Sequence, residues 1–176
     1  MPKLKKMQNQ VILSIGSNQG DKLAYIERCF QLIHLEIGND VHVSKLYLSA
    51  SWGFESADFY NCALLVHTSE TAPQVLAGLQ EIEEKMGRAK KAGEGYEARV
   101  IDIDIIGFND EIVTLPDLQI PHPQLHNRLF VLLPLKDLLP NYMHPLLNKK
   151  IADLIHECED EGNCIVISDL ELPKKD

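Results

Sequence analysis

At 176 residues, 45% hydrophobic and 24% charged, the chain is long enough for one well-buried core and short for two, so a single domain over residues 1–176 is expected. A net charge of −9 argues against a general binder of nucleic acid or anionic membrane, because phosphate-rich surfaces attract basic proteins. No apolar run approaches bilayer-spanning length, the start MPKLKKMQNQ lacks the apolar stretch of a signal peptide, and Cys29, Cys62, Cys158 and Cys164 show no CxxC spacing; the expectation is a cytoplasmic protein without a cysteine zinc site or disulfide framework.

VILSIG (11–16) reads as a short apolar strand, and SNQGD after it as a turn able to cap a helix. Leu23, Ile26, Phe30, Ile33 and Ile37 recur at three and four residues and predict an amphipathic helix that stops at Gly38. VHVSKLYLS (41–49) alternates as a strand, SWGFESAD is a loop, and FYNCALLVHT (59–68) is the next strand. Val75, Leu76, Leu79, Ile82 and Met86 mark a second helix, with Thr71 as N-cap, Pro73 in its first turn and Gly87 at its end.

Residues 85–99, KMGRAKKAGEGYEAR, then set five cations against two acids in an otherwise acidic chain. A solvated loop explains most such runs. This one leads into ARVIDIDIIGF (98–108), a strand in which Asp102 and Asp104 project from one face while Ile101, Ile103 and Ile105 line the other. Two strand steps put the acids roughly 7 Å apart at Cα, close enough for each to raise the other's pKa unless something cationic lies between them. Arginines or a metal ion meet that need.

The order so far is β-α-β-β-α-β, the ferredoxin-like α+β arrangement, an antiparallel sheet with helices on one face. Further elements are expected: an added strand EIVTL (111–115), a short helix broken by prolines in LFVLLPLKDLLP (129–140), a helix in KKIADLIHEC (149–158) and a terminal strand CIVIS (164–168). The motif-bearing part spans about 11–135, and residues from about 140 to 176 form a C-terminal extension without a recognisable motif.

Mg²⁺ takes hard oxygen ligands and keeps several waters, so two carboxylates plus substrate phosphates complete its shell. Arg88 and Arg99 flank a loop in which Gly93 and Gly95 permit movement, and guanidinium forks suit phosphate oxygens. IPHPQLHNRLF (120–130) holds His122 and Arg128 as phosphate donors and Phe130 as a flat wall. No helix is expected through Pro121 and Pro123, so His122 and His126 do not share a zinc-binding helical face. GSN (16–18) ends the first strand, but GxGxxG and GxxxxGK[ST] are absent. Trp52, Phe54, Phe59 and Tyr60 around Asn61 are able to hold a planar heterocycle by stacking and edge hydrogen bonds.

Taken together, GSN after the first strand, the aromatic-Tyr-Asn strand start, GR, the basic loop, RxxDxDI and PHxxxxNRxF resemble the 6-hydroxymethyl-7,8-dihydropterin pyrophosphokinase family of folate biosynthesis, in order from about residue 11 to 135. The resemblance implies transfer of the β,γ-diphosphate of ATP to the pterin hydroxymethyl group, with AMP released. By position, Asp102 and Asp104 resemble the ligands of two Mg²⁺ ions. Arg88 and Arg99 resemble the loop arginines that hold the triphosphate, and Lys90, Tyr96, His122 and Arg128 resemble further ATP contacts. Gln80 and Glu83 match residues lining the nucleotide site. Asn61 would pair with the pterin edge, Phe59 and Phe130 would sandwich its ring, and Ser49, Ala50 and Trp52 match a segment that meets the pterin through backbone groups. A monomer acting on two small molecules, with ATP as co-substrate, is the expected state. A metal-dependent phosphohydrolase using the same diacid, and a non-catalytic ferredoxin-like module that binds a nucleotide or a protein, are the rival readings.

Overall fold

Apolar alternation fixes the two faces of the first strand, β1 (Asn9–Ser17), in the computed structural model, which describes residues 8–51, 57–87 and 100–169. Val11, Leu13 and Ile15 are fully buried on one side, and Ile12, Ser14 and Gly16 take the other. α1 (Lys22–Glu36) starts at Asp21, whose carboxylate accepts the Ala24 N–H at 3.1 Å, and turns Ile26, Cys29, Phe30 and Ile33 inward. The chain leaves α1 through Gly38. A Cβ there would stand 2.3 Å from the His67 carbonyl oxygen, so a residue without a side chain is required for this close approach.

The segment expected as one strand over 41–49 is two, β2 (Asp40–Val43) and β3 (Leu46–Ser49), both paired with β4 (Phe59–Thr68). Val43 lies opposite Leu64 and Tyr47 opposite Asn61, so the β2–β3 side holds one extra residue. That is a bulge at Ser44. The Ser44 hydroxyl accepts the Ala63 N–H at 2.8 Å, and its own N–H donates to the Ala63 carbonyl at 3.0 Å, so the ladder's hydrogen bonds survive the break.

α2 (Ala72–Lys85) follows, with the Gln74 side chain accepting the Thr71 N–H at 2.9 Å and Gly87 leaving the helix at φ +91°. β5 (Asp102–Phe108) pairs antiparallel with β1. After a small hairpin, β6 (Val113–Leu115) and β7 (Leu118–Ile120), come α3 (Leu129–Leu138), α4 (Ile151–Glu157) and β8 (Cys164–Ser168). β7 has no counterpart in the sequence reading, because three residues are too few for a periodic signal. Pro134 sits inside α3 without breaking it, and the helix ends before Pro140.

The main sheet runs β5-β1-β4-β3-β8, with β2 beside β3 along β4, and every pairing is antiparallel. This is the ferredoxin-like α+β fold with one added strand, and the segment beyond residue 140 contributes to its sheet and core. α1 and α2 cover one face over Leu13, Leu64, Ile103 and Ile105. Helices on one face alone were expected. The structure departs from this, because α3 and α4 cover part of the second face over Ile12, Leu65 and Ile106. The same face further along, at Ser14, Gly16, Asn61, Asp102 and Asp104, lines a cleft instead.

One buried histidine makes the C-terminal half sensitive to acid. His144 is 3% exposed, and its Nδ1 accepts the backbone N–H groups of Leu147 at 3.1 Å and Leu146 at 3.3 Å. Burial first, and then the neighbouring His126, hold its pKa below 6.5. The unfolded chain therefore binds the proton more readily, so the stability contributed is present above the unfolded value and lost as pH falls below it. We expect the melting temperature to drop between pH 7 and pH 5. The slope should be shallower in His144→Gln, and an unchanged slope would contradict this role.

Candidate active site

Four strands and the start of one helix meet at the uncovered part of the second sheet face. β1 brings Ser14 and Gly16, β3 and its exit bring Ser49 and Ala50, β4 brings Phe59 and Asn61, β5 brings Asp102 and Asp104, and the entry to α3 brings Arg128 and Phe130. These ten residues line a cleft of about 580 Å³, open solvent included. Cross-strand register explains the grouping, since Gly16 lies opposite both Asn61 and Asp102, and Ser14 opposite Asp104.

The floor is built to close tolerance. A Cβ on Gly16 would lie 3.1 Å from Asn61 Oδ1 and 3.5 Å from the Phe59 ring. Asn61 is buried, and its amide nitrogen donates to the Ser49 hydroxyl at 2.6 Å. That bond fixes which way the amide faces and directs its oxygen toward Gly16.

Asp102 and Asp104 are both half-buried and share the cleft face, while Ile103 between them packs against the helices. On the far side of the sheet Glu83 is buried in α2, and its carboxylate accepts the Ile103 N–H at 2.9 Å. The strand is thus held from behind between its two acids. Two carboxylates on a rigid strand, with water access from the cleft, form a donor set suited to Mg²⁺.

His122 flanks the same region. Its backbone N–H donates to the Ile106 carbonyl at 3.0 Å and its ring Nδ1 accepts the Gln124 backbone N–H at 3.1 Å, so in the neutral ring Nε2 carries the proton and is the ring's donor. Burial lowers its pKa below 6.5, the Arg128 charge lowers it further, and Asp102 acts in the opposite sense. Near neutral pH the ring is an uncharged N–H donor set between a cation and a carboxylate. The Arg128 guanidinium carbon lies 5.7 Å from the centre of the Phe130 ring, which joins the phosphate-type donor to the flat apolar wall.

Of the residues singled out in the sequence, Ser49, Ala50, Phe59, Asn61, Asp102, Asp104, Arg128 and Phe130 line this cleft. Gln80 is exposed on α2 and Glu83 is buried behind β5, so neither is among the residues lining it. Trp52, Arg88, Lys90, Tyr96 and Arg99 lie outside the described residues. Ser14 is not among the residues the sequence singles out, and Gly16 reads there as the end of the first strand rather than as a floor. The signal for both was the alternation of β1, but it needed the β1–β5 register to become a statement about the site.

A residue far along the chain also supports it. The Asp160 carboxylate accepts the Leu129 N–H at 2.9 Å, capping α3 from a segment 31 positions later, directly between Arg128 and Phe130. We expect Asp160→Ala to cost about 1 kcal/mol, the usual loss for a capping side chain. It should also raise the KM for a ligand of the cleft more than it lowers kcat. Parallel losses in both would show that the cap does not position the site.

Comparison with known proteins adds a family. A family model described as 7,8-dihydro-6-hydroxymethylpterin-pyrophosphokinase matches residues 12–140. The folic acid synthesis protein FOL1 of Dictyostelium discoideum is 41% identical over 141 residues, which cover 80% of this chain and 21% of that protein. The 2-amino-4-hydroxy-6-hydroxymethyldihydropteridine pyrophosphokinase of Aquifex aeolicus is 33% identical over 160 residues, covering 89% of this chain and 97% of that one. Its namesake from Porphyromonas gingivalis is 38% identical over 138 residues, 77% of this chain and 93% of the other. Among solved structures, wild-type Plasmodium falciparum HPPK-DHPS with STZ-DHP superposes with a TM-score of 0.69 at 18% identity, over 88% of this chain and 44% of that one, a likeness of fold. The chain therefore spans about a fifth of the Dictyostelium protein and less than half of the Plasmodium chain, but nearly the full length of the two bacterial ones.

Proposed function

The chain belongs to the 7,8-dihydro-6-hydroxymethylpterin-pyrophosphokinase family, and on that premise we propose that it transfers diphosphate from ATP to 6-hydroxymethyl-7,8-dihydropterin, a step of folate biosynthesis. The observation that carries this reading is the convergence of Asp102 and Asp104 with Phe59, Asn61 and Phe130 in one cleft. One part of the cleft suits a metal-bound polyphosphate and the other a flat, hydrogen-bonding ring.

In this reading the pterin ring lies against Phe59 and Phe130, and its amide-like edge pairs with Asn61, whose amide is already oriented by Ser49. Ala50 contributes to the same pocket wall, and Trp52 is assigned to the pterin by the family resemblance alone. Asp102 and Asp104 would hold Mg²⁺, two ions in all, and the chemistry such ions would supply there is neutralisation of phosphate charge and a lower pKa for the attacking hydroxyl. Arg128 and the Nε2–H of His122 donate to phosphate oxygens, and Arg88, Arg99, Lys90 and Tyr96 complete the ATP contacts. Gln80 and Glu83 match residues lining the nucleotide site in the family; here both belong to α2, across the sheet from the cleft, and Glu83 acts by holding the Ile103 N–H. The hydroxymethyl oxygen attacks the β-phosphorus, the bond from that phosphorus to the α,β-bridging oxygen breaks, AMP leaves with that oxygen and the hydroxyl proton passes to solvent. The residues of this chain contribute position and charge rather than covalent chemistry.

The protein acts on two small molecules, and a cytoplasmic monomer without nucleic-acid partners completes the reading. No helix among the described residues is long and apolar enough to cross a membrane. The test is to mix protein, MgATP and hydroxymethyldihydropterin and follow nucleotide and pterin products. One AMP per diphosphorylated pterin is expected. Release of inorganic phosphate from ATP at the same rate with and without pterin would replace this reading with a phosphohydrolase.

A further inference from the structure

Apart from the cleft, the described residues contain one cluster of three metal-ligating side chains, Asp40, His42 and His67. Strand geometry assembles it. Asp40 and His42 are two apart on β2 and so share a face, and His67 is the cross-strand partner of Asp40 on β4. His67 lies six residues along β4 from Asn61, about 20 Å at strand spacing, so the cluster sits at the opposite end of the sheet from the cleft.

Both histidines approach the same carboxylate. His42 Nε2 is 3.2 Å from Asp40 Oδ1, His67 Nδ1 is 3.1 Å from Oδ2, and the three ligand atoms lie within 4.8 Å of one another. His67 Nδ1 is sheltered from solvent and makes no hydrogen bond, even though Oδ2 is so near. The two rings stand edge-on, with centroids 6.2 Å apart. The three atoms of a tetrahedral shell at about 2.0–2.1 Å from a common centre are separated by roughly 3.3 Å. With Asp40 Oδ2 as the ligand atom, its separation from His67 Nδ1 already meets that figure, and His42, with its side chain 58% exposed, has room to rotate from Oδ1 into the same shell.

We propose that Asp40, His42 and His67 form a surface site for a borderline divalent transition-metal ion of the Zn²⁺ class, with solvent completing the shell. Two imidazoles and one carboxylate select such an ion over Mg²⁺, which favours all-oxygen surroundings. The site is therefore chemically distinct from the aspartate pair as well as remote from it. Asp40 is 55% exposed, which leaves the fourth position open to water.

The test is a zinc titration of the full chain against a chromophoric chelator, in excess MgCl₂, for the wild type and for His42→Gln, His67→Gln and Asp102→Asn. Circular dichroism of each variant checks that it is folded. One equivalent of zinc is expected in the wild type and in Asp102→Asn, with affinity at least tenfold weaker in each histidine variant. His42→Gln changes an exposed side chain, so it remains informative even if His67→Gln proves unstable. Turnover of the diphosphate-transfer reaction should be unaltered in His42→Gln. Absence of zinc binding in the wild type, equal affinity in all four proteins, or loss confined to Asp102→Asn would each overturn the proposal.

Discussion

Asp102→Asn and Asp104→Asn each lower turnover by roughly 10³-fold or more, while the melting temperature stays close to that of the parent protein. The size follows from what the carboxylates face. They share one side of β5, line the cleft and stand where phosphate charge must be neutralised, and groups of this kind typically each supply two or more orders of magnitude in rate. The small effect on folding follows from their half-exposed setting, because the strand is held instead by Ile103 and Ile105 in the core and by Glu83 on the Ile103 N–H. The measurement is steady-state AMP formation with a parallel thermal melt. A folded variant of either residue with a near-parental rate would remove the metal assignment. Glu83→Gln is the companion, since its amide oxygen still accepts the backbone N–H and it should leave the pair in place.

Gly16→Val is expected to weaken pterin binding by about 10- to 100-fold with a smaller change in kcat. The first added atom would meet Asn61 Oδ1 at 3.1 Å and the Phe59 ring at 3.5 Å, so two further methyl groups enter the floor of the cleft itself. Overpacking of a well-filled site costs about 1–3 kcal/mol, and each 1.4 kcal/mol is tenfold in affinity. The alternative, that this corner lies outside the ligand's footprint, predicts an unchanged pterin dissociation constant. Isothermal titration with the pterin in the absence of ATP separates the two. Gly16→Ala should show the same sign at lower amplitude, because the Asn61 amide need move by only a few tenths of an ångström.

Much of this site was legible in the sequence because strands alternate. Asp102 and Asp104 on one side and three isoleucines on the other follow from period two alone, and the structure places them so. Phe59, Asn61, Arg128 and Phe130 stand out by residue type, the resemblance gives each a specific role, and they line the cleft together. What escaped needed information that is not local. The bulge at Ser44 lies in a stretch whose pattern reads as unbroken strand, and the misfit shows only in the register against β4. Ser14 and Gly16 became site residues through pairing with β5, and Asp160 through a contact spanning 31 positions. The partial covering of the second sheet face was hidden for a similar reason. Leu132 and Leu135 mark an apolar helix without naming the strand residues that receive them.

That partial covering has an implication for ligand choice. The room on this face ends where α3 begins, and α3 is pinned there by Asp160 at its start and by Asp137, which accepts the Tyr47 hydroxyl at 2.8 Å, near its end. One helical turn is about 5.4 Å. A relative whose equivalent helix began a turn earlier would lose a corresponding slice of the chamber, and one that began later would admit a bulkier molecule, with the sheet and its acids untouched. Selectivity in such a scaffold can thus drift by sliding one boundary along the chain, without altering a residue that takes part in the chemistry.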